Sequence, residues 1–319
     1  MRIAFMGTPD FSVPCLRALA ASKHEVVGVF CQPDKPVGRK QILTPPPVKE
    51  EALEHGYRVF QPTTLKNGAG VALLREIEPD LVIVVAYGKI LPPDFLSFPK
   101  YGCVNVHASL LPRYRGASPI HWAVLNGDME TGVTTMQLDE GMDTGDILLV
   151  KKVPIGPDET TEELFDVLSA VGAEAMMETI GQIEAGTLHP VAQDHDRATA
   201  VGLLTKELGE VDWTKPMQTI HNQVRGLYSW PGAYTFLGGS VLKLHRTART
   251  AVGTSKAPGT VVKAKGQLLV ACGDGLCLEL KEAQLSGKKR MDAAAFLTAT
   301  RLRKATFWVH KGRFRYGMV

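Results

Sequence analysis

The sequence predicts an α/β fold: a doubly wound, Rossmann-like, mostly parallel sheet followed by a small OB-like β-barrel domain. Three observations carry that expectation. The chain opens strand–turn–helix–strand, with a strand over residues 2–6, a turn at Gly7, a helix over 11–21 and a second strand over 25–31. Residues 80–86 are a nearly continuous β-branched run, as in a central strand covered on both faces. After residue 233 the pattern changes to five short strands punctuated by glycines, which fits a small antiparallel barrel.

Taken in order, Pro9, Asp10 and Ser12 supply the punctuation and capping groups for the first helix. Its turn contains only Gly7, so the glycine fingerprint of a dinucleotide site is lacking. Residues 32–47 hold five prolines and the pair Arg39-Lys40, and read as a stiffened loop that presents charge to phosphate. An ordinary surface loop is the plainer alternative. Helices are expected over 48–55 and 71–77, with a short strand at 58–60 between them. Tyr87-Gly88-Lys89 then follows the central strand at its carboxyl end, where open α/β sheets bind ligands.

Further along, a helix over 118–125 and strands over 133–137 and 147–153 precede a long amphipathic helix over 160–183, in which Met176 and Met177 read as packing. That helix closes a first domain of residues 1–188. Residues 189–205 break the pattern and read as a linker, with His195 a solvated member. Residues 206–319 form the second domain. It has a helix over 214–225, strands over 233–237, 241–246, 259–262, 268–271 and 277–280, a basic tip at Lys288-Lys289-Arg290, and a helix over 292–299.

Charge is unevenly placed along the 319 residues. Residues 206–319 carry 19 Lys and Arg against 7 Asp and Glu, whereas residues 1–205 carry 17 against 26. A basic C-terminal third suits a polyanionic partner. The apolar run at 81–86 is far too short to span a bilayer, and the N-terminus lacks a signal-peptide core. The five cysteines are scattered and odd in number, which suggests reduced thiols and a cytoplasmic location, away from membranes. Cys272 and Cys277 have no paired histidine, so no zinc site is expected.

The informative stretch is Cys103-Val104-Asn105-Val106-His107, followed by a loop through Pro112 to Gly116. Val104 and Val106 alternate with Asn105 and His107, so the two polar side chains share a face at the end of a strand. That pairing suits polarising a carbonyl oxygen and handling a proton. A polar sheet edge with satisfied side chains is the plainer, less favoured alternative for the strand alone. Residues 138–146 form an acidic, glycine-punctuated loop that lacks the ligand spacing and closing Glu of an EF-hand. One of its carboxylates is placed to orient His107 or accept a proton.

Asn105, His107, Ser109-Leu110-Leu111-Pro112 and Asp143 within Asp-Thr-Gly resemble the signature of the 10-formyltetrahydrofolate-dependent formyltransferases. Gly7-Thr8-Pro9-Asp10-Phe11 and the stretch from Gln32 to Arg39 extend the likeness over nearly the whole chain. Ala108 stands where the family commonly has Gly, and Lys40 where Gly often follows the Arg. The resemblance implies formyl transfer from the co-substrate 10-formyltetrahydrofolate, without a metal, to the α-amino group of methionine esterified to initiator tRNA. It implies that Asn105 and His107 donate to the developing oxyanion while Asp143 holds His107 and helps remove a proton. Folate contacts are implied for Ser109, Leu110, Leu111, Pro112, Val85, Ala86 and Tyr87. Contacts with tRNA are expected from Arg39, Lys40, Lys288, Lys289 and Arg290. A formyltransferase acting on a small amine, such as a ribonucleotide or amino sugar, would use the same polar trio. It would leave the Arg39 loop and the basic C-terminal third without a role. A dehydrogenase lacks its fingerprint here, and a non-enzymatic RNA-binding protein leaves the trio unexplained.

Overall fold

The computed structural model describes residues 1–38 and 40–300, with the backbone alone at Ala264 and Lys265. The chain divides into two compact units. The first comprises Met1–Pro119, Glu130–Pro154 and Phe165–Val201; the second collects Ile120–Met129, Ile155–Leu164 and the residues from Gly202 onward.

The first unit begins with β1 (Arg2–Gly7), α1 (Val13–Ala20) and β2 (Glu25–Phe30). A short hairpin, β3 (Lys35–Val37) and β4 (Ile42–Thr44), precedes α2 (Pro47–Glu54), β5 (Val59–Phe60), α3 (Ala69–Ile77), β6 (Leu81–Val85) and α4 (Pro93–Leu96). In chain order there follow β7 (Cys103–His107), β8 (Arg115–Gly116), α5 (Pro119–Leu125), β9 (Glu130–Gln137), β10 (Ile147–Pro154), α6 (Thr161–Ala185) and β11 (Ala200–Val201), with α5 after its first residue and the first turn of α6 counted in the second unit. The main sheet has the order β10-β9-β7-β6-β1-β2-β5. It is parallel from β5 to β7, and β9 and β10 add antiparallel partners at the other end. β6 is buried at every position, as its unbroken apolar run requires of a strand with both faces covered.

Two local expectations are corrected. Ser12 does not cap α1. It is already helical in its backbone angles, and its buried hydroxyl donates to the Val85 carbonyl at 2.6 Å, tying the turn after β1 to the end of β6. Residues 32–47 are not simply a loop, because β3 and β4 pair as a hairpin through Pro36↔Leu43. Its base is fastened by Lys49, whose Nζ lies 2.8 Å from both Asp34 carboxylate oxygens and donates to Gln61 Oε1 at 2.9 Å.

Beside α1, the Arg17 guanidinium donates to both Glu51 carboxylate oxygens, at 2.9 and 2.7 Å, and those bonds hold the buried Glu51 carboxyl below the usual carboxylate range. A carboxyl depressed on folding stabilises the fold above its unfolded value, and that contribution is lost as pH falls through the folded one. Arg17→Met leaves a buried charge with less support, whereas Glu51→Gln removes the charge. Arg17→Met is therefore expected to lower Tm more than Glu51→Gln near neutral pH, with the difference closing in acid. Thermal melts of both variants across that range check it.

The second unit contains α7 (Met217–Gly226), β12 (Ala233–Leu237), β13 (Ser240–Gly253), β14 (Val261–Lys265), β15 (Gln267–Ala271), β16 (Leu276–Leu285), β17 (Met291–Asp292) and α8 (Ala293–Thr300). Its antiparallel sheet runs β12-β13-β16-β15-β14, with β17 beside β16, giving an OB-like domain. Trp213, Ile220, Leu242, Leu244, Val270, Leu280 and Phe296 share its core. β13 runs to Gly253, well past the expected end at 246, and its register with β16 shifts repeatedly between Leu244 and Gly253. Each bulge resets the alternation by which the strand was read.

Candidate active site

β7 lies between β6 and β9, with Asn105 opposite Val84 on one side and Met136 on the other. Val104 and Val106 are buried, and a Cβ at Gly172 of α6 would lie 3.2 Å from Val106, so the small residue permits that approach. Asn105 and His107 occupy the opposite face together, as period-two alternation requires. Among the described residues the half-buried Asn105 side chain makes no hydrogen bond. An amide with its donors unspent beside a buried imidazole is the first functional feature of this edge.

His107 is buried and its ring is held from the loop that follows it. Nε2 lies 2.9 Å from the Tyr114 carbonyl, which can only accept, so Nε2 carries a hydrogen. Nδ1 is left facing Asp143 Oδ2 at 3.7 Å, within reach of charge but longer than a hydrogen bond. Tyr114 thus fixes the ring through one nitrogen, while Asp143 faces the other within ion-pair distance. Asp143 Oδ2 is itself engaged, accepting from the Gly116 N–H at 2.7 Å. One loop therefore supplies both the acceptor for His107 and the donor for Asp143.

Asp143 sits at φ 55°, a left-handed conformation that a non-glycine residue keeps only where its surroundings impose it. On one side, Thr144 Oγ1 donates to the Asp139 carboxylate at 2.7 Å. On the other, Gln193 Nε2 donates to the carbonyls of Asp143, at 2.9 Å, and Gly145, at 2.7 Å. Gln193 Oε1 accepts from Arg115 Nε and Nη2 at 3.1 and 2.7 Å. Gly116 is at φ 96°, and a Cβ there would meet the Val201 carbonyl oxygen of β11 at 2.5 Å, so this crossing requires glycine. Sequence reasoning missed Gln193, since a lone amide in a polar stretch bears no local mark of what it will touch. His195, read as solvated, is exposed and accepts at Nδ1 from Arg115 Nη2 at 3.1 Å.

The expected folate residues divide by what their side chains do. Ser109 is fully buried, and its hydroxyl donates to the Arg113 carbonyl at 2.7 Å, so it shapes the loop from within. Leu111 is buried, while Leu110 and Pro112 are half-buried. Val85 is buried, and the Tyr87 ring lies in the core with Phe30 and Phe95, where burial pushes its phenol up to about 12. The Val85 and Tyr87 side chains thus serve packing. What this turn offers outward is Ala86, exposed at φ 47°, and Gly88.

Of the expected tRNA residues, Arg39 lies outside the described residues. Lys40 is exposed in the turn of the β3–β4 hairpin. Lys288 and Lys289 are exposed, and their ammonium groups have no partner among the described residues. Arg290 is already committed: it donates to Glu282 at 2.6 Å through Nε and to the Tyr228 hydroxyl at 3.0 Å through Nη1. The register that sets Glu282 opposite Asp292 brings Arg290 to that carboxylate. Among the described residues no cluster of three His, Cys, Asp or Glu side chains is placed to hold a metal ion, and no helix is long and apolar enough to cross a membrane.

Known proteins resemble this chain over nearly its full length. A family model described as Formyl transferase matches residues 1–180, and one described as Formyl transferase, C-terminal domain, matches residues 203–301. A methionyl-tRNA formyltransferase of Trichlorobacter lovleyi is 51% identical over 298 residues, 93% of each chain. Its counterpart from Geobacter sulfurreducens is 48% identical over 307 residues, 96% of each chain. Among solved structures, the sugar 3N-formyltransferase WlaRD superposes with a TM-score of 0.67 at 18% identity, covering 91% of this chain and 99% of its own. The N-formyltransferase of Helicobacter canadensis, solved with folinic acid and dTDP-3-aminofucose, has a TM-score of 0.68 at 18% identity, covering 88% of this chain and 98% of its own. At that identity the two structures speak to the fold.

Proposed function

The chain belongs to the formyl transferase family, and from that premise we propose that it transfers a formyl group from 10-formyltetrahydrofolate to the α-amino group of methionine carried on initiator tRNA. One observation carries the chemical reading. An amide with no partner among the described residues stands beside a buried imidazole whose second nitrogen faces a carboxylate, at the carboxyl edge of a parallel sheet.

The co-substrate supplies the formyl group, and the exposed turn at Ala86 and Gly88, which follows Val84, the β6 partner of Asn105, fits a planar ring with hydrogen-bonding edges. Asn105 Nδ2 donates to the formyl oxygen as negative charge gathers there, a contact strongest in the transition state. Because Nε2 of His107 is committed to Tyr114, Nδ1 is the nitrogen that meets the reacting groups. It takes the proton that the attacking amine loses and passes it to the folate nitrogen as the bond from that nitrogen to the formyl carbon breaks, and the Asp143 carboxylate stabilises the imidazolium formed in between. Ser109 to Pro112 shape the entrance from behind.

We also take residues 1–188 as the catalytic domain, 189–205 as a connecting segment and 206–319 as the tRNA-binding domain, with Lys40, Lys288 and Lys289 free to meet phosphate. The hairpin base Asp34–Lys49–Gln61 would hold Lys40 out for the same purpose. A cytoplasmic location belongs to this reading, in keeping with five buried free thiols and a tRNA substrate.

A formylation assay comparing charged initiator tRNA with a methionine ester and an amino-sugar nucleotide tests it. The expected result is efficient transfer to the charged tRNA alone, with log(kcat/KM) falling linearly with log salt. The double variant Lys288→Ala/Lys289→Ala should flatten that slope by about 2. Comparable kcat/KM for either small amine would overturn the proposal.

A further inference from the structure

We infer that Gln193 is a positioning residue for the reaction, acting through Asp143; this rests on the catalytic reading of Asp143 given above. Gln193 is buried, and three of its hydrogen-bonding positions are spent within the first unit. Its two donors grip the carbonyls on either side of the Asp143-Thr144-Gly145 turn, the place where a non-glycine residue is held left-handed. Its oxygen accepts both nearest N–H groups of Arg115, the residue before the Gly116 that donates to Asp143 Oδ2.

The segment that carries Gln193 continues the same work in its backbone. The Arg115 N–H donates to the Thr199 carbonyl at 2.8 Å, the Tyr114 N–H to Thr199 Oγ1 at 2.8 Å, and the Ala117 N–H to the Val201 carbonyl at 3.0 Å. The loop that presents Tyr114 to His107 and Gly116 to Asp143 is thus pinned to residues 199–201, and Gln193 pins the opposing Asp143 turn. The Asp143 carboxylate also reaches the Gly116 N–H, but Gln193 is the side chain outside the proposed catalytic set that bonds to both loops among the described contacts. A glutamine whose amide spans both arms fixes the separation of His107 Nδ1 and the Asp143 carboxylate, which stands at 3.7 Å. Misplacing a reacting group by about 1 Å costs on the order of 100-fold in rate.

The test uses the full chain with Gln193→Met, which matches the side-chain length without its polar atoms, and Gln193→Glu, which still accepts from Arg115 but cannot donate to the two carbonyls. Both are expected to lower kcat about 100-fold while the KM for folate stays within about twofold. In an Asp143→Ala background, Gln193→Met should cost no more than about twofold further, because the group it positions is gone. A full additional loss in that background would show that Gln193 acts through the fold at large and would overturn the inference. Wild-type kcat for Gln193→Glu would also overturn it, by assigning the effect to Arg115 alone. If Gln193→Met does not fold, Gln193→Glu carries the same comparison. Should Asp143→Ala itself turn over normally, the catalytic reading falls; should Asp143→Ala be inactive and both Gln193 variants normal, only this inference falls.

Discussion

Asn105→Ala is expected to lower kcat by about 100- to 1000-fold, the usual cost of one missing oxyanion donor. In the resting protein the Asn105 side chain is uncommitted among the described residues. Its amide has no hydrogen-bond partner among the described residues, so removing it breaks no bond that the fold relies on. Tm should therefore hold, and folate affinity should change little, because the donated bond matters when charge develops on the formyl oxygen. Steady-state kinetics, a thermal melt and a folate titration on one preparation check all three. A variant that loses folate affinity in proportion to kcat would mean that Asn105 binds the ground state instead.

Replacement of Asp143 separates charge from shape. Asp143→Asn retains an oxygen to accept the Gly116 N–H, now received at 2.7 Å, but presents no negative charge to His107 Nδ1. Asp143→Ala removes both. If the carboxylate serves the proton transfer, both variants should lose about 100- to 10,000-fold in kcat. Asp143→Ala should in addition lower Tm, since the Gly116 N–H loses its acceptor in a half-buried setting. An active Asp143→Asn beside an inactive Asp143→Ala would reduce the residue to a brace for the loop. The buried His107 ring is fixed by Tyr114 in either variant, so its placement does not confound the comparison.

Much of this was legible in the linear chain, and the reasons are local. The β6 run declares a covered central strand by composition alone. The alternation in β7 puts Asn105 and His107 on one face by geometry that any strand obeys. The hairpin at residues 35–44 was hidden because Pro36 and the prolines flanking it mask the alternation that marks strands. The length of β13 was hidden by bulges. Tyr87 was placed beside a ligand by its position at the end of β6, yet its ring turned into the core with Phe30 and Phe95. A large aromatic gains more from burial than from facing solvent. Arg290 looked as free as Lys288 and Lys289 until strand pairing set Glu282 beside it.

From its own residues, the chain determined the order of strands and helices, the polar face of β7, the acidic loop at Asp143 and the basic C-terminal third. Each depends on neighbours within a few positions, where propensity and periodicity act. Only the folded protein decided which nitrogen of His107 is available, what anchors Asp143, and that Gln193 joins the two loops. Those are contacts between residues 7, 27 and 50 positions apart. Hydrogen bonds are short and directional, so their partners are chosen by where the packed sheet brings separate loops together.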